Sequence, residues 1–417
     1  MRLLRFLVPS VALLTLTSAL SGCAVPGAGV DDRRPTESMS SSGTRGSDAS
    51  PRDGAHELAE PALQITTLVP DGAVVQLDLA SGEAAEIARI APAERVVGDG
   101  RYLFALRPGS VTIVDTGAWT WNHGDHVHYY RGEARVVGDV EGAGSPTVVP
   151  GERSIGIHFD GRPTAAAEAV LVKTAPLADG EIVELFRIGA EADAPLVVPL
   201  AYGAWVAGSD TAGPPATLRE VDENGRRGGK TACRSARGPI ATVVGVVVEC
   251  HDGALLAVDG RPGRVERIPL PGEAASPGSS TLAGREGRPT VAALAGKDGI
   301  RLLDTRDRQW RHLTSDVPLV AVTAVDDRDG HVVAVTAEGA VRIFDDEGGS
   351  PAPAEVALDS EDAALLARAG SEVALFPDQH ATYLVAGGRV LAIDPATARV
   401  ERRYAVPADG AAVLSGR

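Results

Sequence analysis

Lysine is nearly missing from this chain of 417 residues: only Lys173, Lys230 and Lys297 occur, so arginine carries almost all of the positive charge. The formal balance is −16, which argues against nucleic acid as a partner because phosphates would be repelled. Aromatic residues make up 4% and cysteines number three. No nucleophile elbow, no His-Glu-x-x-His and no phosphate-cradling glycine loop is present, and this reads as a non-enzymatic chain. Convincing helical periodicity is missing as well. The best candidate, Ser360 to Ala369, is short.

What is there begins with Arg2 and Arg5, an apolar run from Phe6 to Leu20, and then Leu20-Ser21-Gly22-Cys23. A basic start, an apolar core too brief to span a bilayer and small residues before a cysteine make a lipoprotein signal over residues 1–22. Lipidation of Cys23 predicts a membrane anchor on the extracytoplasmic face, held only by acyl chains. No later apolar segment is long enough to span. Residues 23–60 are rich in Ser, Gly, Pro, Asp and Arg and hold almost no large apolar side chain, so they read as a disordered tether.

From residue 61 to 417 a short extended run ending in Asp recurs: Val74–Asp78, Val111–Asp115, Thr217–Asp222, Ala254–Asp259, Ile300–Asp304, Val341–Asp345 and Val390–Asp394. Ala169–Thr174 is a degenerate copy without its Asp. Most copies follow a turn glycine and precede further turn residues. The spacing suits four-stranded blades of about 40 to 50 residues. The expected fold is all-β, a propeller of seven or eight blades with eight favoured by the count. Ala411–Leu414 is expected to join Leu63–Val69 and Val74–Asp78 in one blade and close the ring. Cys233 and Cys250 then fall at the same end of a hairpin and predict a disulfide, as is usual in an exported protein.

Within Trp119–Tyr130 the chain reads Trp-Thr-Trp-Asn-His-Gly-Asp-His-Val-His-Tyr-Tyr, concentrating three of nine histidines and two of four tryptophans. On an extended strand His126 and His128 point to one face. With donors drawn from His123, Asp125, His158, His251 and Asp252, they would make an adequate shell for zinc. Placing the cluster on an outer strand and its outgoing connection puts it on the same propeller face as His158 and His251. The competing reading is that the aromatics pack a joint between blades while the imidazoles bond loop carbonyls. His331 and His380 are expected on the opposite face as structural residues. His56 and His312 attract no assignment, and the acidic runs at Val325–Asp329 and Asp345–Glu347 read as ordinary turns.

A signal-anchored propeller carrying His126, His128, Tyr129 and Tyr130 followed by Arg131–Gly138, with Cys233 and Cys250, resembles the secreted zinc metallochaperones. The resemblance implies zinc as the bound metal and, as partner, the solute-binding protein of a zinc ABC importer, served by a monomer. Two positions depart from the family pattern. Arg237-Gly238 stands where the family carries His-Gly, and Pro407-Ala408-Asp409 stands where it tends to carry a His. The alternative function is a cell-envelope interaction scaffold, and a propeller hydrolase or lyase ranks below both.

Overall fold

The structure is a computed structural model, and it describes residues 54–122, 126–209, 216–261, 263–271, 281–296, 299–345, 353–407 and 410–417. The segment read as a signal, Cys23 and most of the span read as a tether lie outside the described residues, as do His123, Asp125, Ala408 and Asp409. Among the described residues no helix is long and apolar enough to cross a membrane.

Among the described residues, antiparallel strands form eight sheets in chain order, together with one smaller sheet. Seven of the eight have four strands. The sixth has three, Thr290–Leu294, Gly299–Asp304 and Gln309–Thr314, and its inner edge is met by a bridge from Ala283 to Ala292. The central strands of the sheets are largely buried on both faces, so their sequences read as nearly unbroken apolar runs, while the outer strands are largely exposed. In Tyr102–Arg107, Tyr102, Phe104 and Leu106 join one core with Ile155, Ile157 and Phe159 of the third sheet. Leu103 and Ala105 face the other way, into a core with Leu68 and Val74 of the first. The same alternation continues around the molecule, and each gap between successive sheets holds its own apolar cluster, including the gap between the eighth and the first. The sheets therefore form a closed ring. Each fully buried Val, Leu or Ile in it is worth about 1.5–3 kcal/mol relative to exposure.

Closure runs as the sequence predicts. Ala411–Ser415 pairs antiparallel with Gln64–Leu68, placing Val413 opposite Thr66, and so supplies the innermost strand of the first sheet. The recurring Asp also has a physical role. Each ends or directly follows the third strand of its sheet, and at Asp78, Asp115, Asp222, Asp304 and Asp394 the carboxylate accepts backbone N–H groups of the turn that follows. Asp78 accepts from Ala80 and Ser81, Asp222 from Asn224 and Arg226, and Asp304 from Arg306 and Asp307. In the degenerate copy the third strand is Glu168–Lys173, and a short 3₁₀ turn over Ala175–Asp179 replaces the capped turn. Ser360–Ala369 is a helix capped by the Asp359 carboxylate, and its Leu366 fills the core between the seventh and eighth sheets. Cys233 and Cys250 are bonded, with Cα atoms 5.0 Å apart.

Two features depart from the sequence expectation. The fourth strand of the second sheet is Arg135–Glu141, pairing with Ser110–Asp115. The His-rich stretch is a hairpin, Ala118–Asn122 with Val127–Arg131, inserted between the third and fourth strands. Its outer edge is joined by His56–Leu58, a strand within the span read as tether.

Candidate metal site on an inserted hairpin

The hairpin is rooted on a buried ion pair. Asp115 is fully buried and accepts hydrogen bonds from Arg101 Nε at 3.3 Å and Nη2 at 2.9 Å, and from the Gly117 N–H at 3.0 Å. The Arg101 guanidinium lies 4.0 Å over the Trp119 ring, a cation–π contact that ties the first hairpin strand to the blade. Gly117 has φ +77°, and a Cβ there would sit 2.5 Å from the Gly132 carbonyl oxygen, so the two legs cross where only glycine fits. Thr120 Oγ1 donates to the Gly416 carbonyl and Arg131 Nη1 to Asp78, which hold the hairpin against the first sheet.

Cross-strand register places Trp119 opposite Tyr130 and Trp121 opposite His128, with Glu57 of the third strand also opposite Tyr130. One face of the small sheet therefore carries Trp119, Trp121, His128, Tyr130 and Glu57. Ring centroids are 5.3 Å apart for Trp119 and Tyr130, 6.1 Å for Tyr130 and His128, and 4.7 Å for His128 and His126. The row is buried at Trp119 and Tyr130 and reaches solvent at His126. Burial raises the Tyr130 hydroxyl pKa, and the nearby Glu57 charge adds to this. His128 Nδ1 is 2.6 Å from Glu57 Oε1.

The structure thus brings His126 and His128 together, at a separation compatible with two nitrogen ligands on one ion, each at about 2.0–2.1 Å. Two imidazoles are half of a tetrahedral zinc shell. Among the described residues no group of three or more His, Cys, Asp or Glu is arranged to hold a metal. The other donors expected in this stretch, His123 and Asp125, lie outside the described residues.

His158 and His251 do not join this pair. The hairpin leaves the end of the third strand, which is the end where the first and second strands of the same sheet turn. His158, on the second strand of its sheet, and His251, between the second and third strands of its own, lie at the opposite end. The expected common face is thereby corrected. The hairpin departs before the outer strand rather than after it, and this reverses the face. His158 is fully buried; its Nε2–H donates to the Glu191 carbonyl at 2.9 Å, and burial lowers its pKa, so it is a neutral core histidine. The His251 backbone N–H donates to Arg234.

At the departure position near the first disulfide cysteine, Arg237 makes two hydrogen bonds to the buried Glu249 carboxylate, at 3.1 and 2.8 Å. Arg301 reaches the same carboxylate at 2.9 Å. Two guanidiniums on one carboxylate give this end a local positive excess, which disfavours a metal cation. His331 Nδ1 lies 2.6 Å from Asp327, the structural pairing expected of it. His331 and His380 each sit in the turn between the first and second strands of their sheets, so they lie at the same end as the hairpin and not on the opposite face. Glu57 and Arg101, both central to the hairpin, have no local sequence signal, because each is defined by a contact across the fold.

No family profile and no curated protein matches this chain. Solved structures do match. Apo AztD from Citrobacter koseri superposes with a TM-score of 0.68 at 19% identity, covering 85% of this chain and 98% of that one. This chain is a β-propeller. A second AztD structure from the same organism gives 0.67 at 20% identity, over 85% and 99%. Dihydro-heme d1 dehydrogenase NirN gives 0.52 at 16% identity, over 88% and 80%. At these identities the likeness is one of fold, and it extends over the whole propeller.

Proposed function

We propose that this protein is a lipid-anchored, extracytoplasmic propeller that binds Zn²⁺ through the inserted hairpin and passes it to the solute-binding protein of a zinc importer. The observation that carries the reading is the His126–His128 pair, two imidazoles with centroids 4.7 Å apart at the solvent end of an aromatic row. Two further facts support it. The residues of this stretch resemble the zinc metallochaperones, and 85% of the chain shares its fold with a protein solved in an apo form. In this role zinc is cargo, and no bond of a substrate is made or broken.

Calorimetric titration of the purified protein with Zn²⁺, beside the His126→Ala/His128→Ala variant, tests the proposal. One zinc bound by the parent and none by the variant is the expected result. A parent that binds no zinc at micromolar concentration refutes it. The stacking of His128 on Tyr130 favours a second reading, in which the hairpin is a protein-interaction face and the imidazoles only pack. That reading predicts partner capture that changes in the double variant and does not respond to zinc or chelator.

A further inference from the structure

We propose that Glu57, supplied by the strand within the span read as tether, is the positioning residue of the hairpin site: its carboxylate holds His128 in the tautomer that presents Nε2 to a cation. This rests on the zinc reading above. An ionised carboxylate only accepts hydrogen bonds, so at 2.6 Å from Glu57 Oε1 the His128 Nδ1 must carry the proton. Neutral imidazole holds one N–H, which makes Nε2 the unprotonated nitrogen.

The contact follows from register. Glu57 pairs with Tyr130, and His128 stands two residues earlier on that strand, so both side chains occupy one face on a diagonal. Trp121 flanks the imidazole from the other side, with ring centroids 5.5 Å apart. The ring is thus fixed in orientation by an aromatic neighbour and in tautomer by a carboxylate brought from 71 residues away. Metal-binding histidines are commonly held by such a partner on the second nitrogen, and its removal weakens binding by about 10- to 100-fold. The Glu57 side chain is 56% exposed, and exposed pairs of this kind add little to stability, so removing the carboxylate leaves the fold in place.

The test uses the purified protein with ¹⁵N-labelled histidine and the variants Glu57→Ala and Glu57→Gln, with His128→Ala identifying the resonance. In metal-free protein His128 is expected as the Nδ1–H tautomer. Glu57→Ala moves it toward Nε2–H, and Glu57→Gln, which keeps an acceptor oxygen without the charge, falls between. Titration with zinc chloride is expected to show affinity reduced 10- to 100-fold in Glu57→Ala, less in Glu57→Gln, at an unchanged thermal midpoint. An unchanged tautomer in Glu57→Ala overturns the proposal, and so does zinc affinity equal to that of the parent. If the parent itself binds no zinc, the function proposed above fails, and the tautomer comparison in metal-free protein still decides what Glu57 does.

Discussion

Alanine at Asp115 is expected to cost far more than alanine at Asp304, although the two residues hold the same place in the repeat. Asp304 accepts two turn N–H groups, at 2.8 and 3.0 Å, in a solvent-exposed turn. At roughly 0.5–1.5 kcal/mol net per hydrogen bond, Asp304→Ala should cost about 1–3 kcal/mol. Asp115 is fully buried and neutralises Arg101, itself 9% exposed, through two further hydrogen bonds. Its removal leaves a desolvated guanidinium without its partner, a change worth about 3–5 kcal/mol. The gap between the two variants should therefore be about 2 kcal/mol, read from urea unfolding followed by tryptophan fluorescence. Replacing both members with apolar residues, Arg101→Met with Asp115→Leu, should recover most of the loss, because no charge is then stranded. The reasoning is refuted if Asp115→Ala falls within about 0.5 kcal/mol of Asp304→Ala, the range expected of an unremarkable surface change.

Three further outcomes follow from the geometry. Cys233→Ala/Cys250→Ala opens a loop with a separation of 17 residues, and on the chain-entropy estimate should destabilise by about 3 kcal/mol in denaturant unfolding. Gly117→Ala, at φ +77° with its Cβ 2.5 Å from the Gly132 carbonyl, should cost about 1–3 kcal/mol and raise hydrogen exchange across Ala118–Arg131. Asp99 has its pKa raised to about 6, chiefly by burial, with the Glu286 charge adding to it. The folded protein keeps this proton between about pH 4 and 6, where the unfolded chain has released it. The stability it contributes is present below about pH 4 and is lost as pH rises through 6. Asp99→Asn should flatten that part of the stability profile, and an unchanged slope would count against the assignment.

The ring was readable because its determinants are local and repeat. An Asp that caps a turn must sit at the end of the strand before it, so Asp78, Asp222, Asp304 and Asp394 mark the first, fourth, sixth and eighth sheets along the sequence. The disulfide and the closing strand followed once the blades were in register. The inserted hairpin was not readable in the same way. Trp119 to Arg131 alternates like any outer strand, and nothing local distinguishes a strand that joins its own sheet from one that turns away. One signal was available: Asp115 and Thr174 lie about 60 residues apart, longer than the other intervals, and that excess is the hairpin. Without it, the face carrying His126 and His128 was assigned together with His158 and His251. Glu57 escaped notice because its role comes from a pairing with Tyr130 far along the chain.

The closing strand also sets the order of assembly. Gln64–Leu68 is made early, and every one of its residues is buried in the finished molecule. Its partner on the inner side, Ala411–Ser415, is made only after the other seven sheets. Until then the first sheet keeps an open apolar edge, and the gap between the eighth and first sheets has no fixed walls. Chains that stop short of residue 411 would therefore present an unpaired strand edge of the kind that recruits other chains. Synthesis of the eighth sheet and the strand after it is in this way checked by the fold itself, since only a chain translated through Ser415 can hide its first sheet.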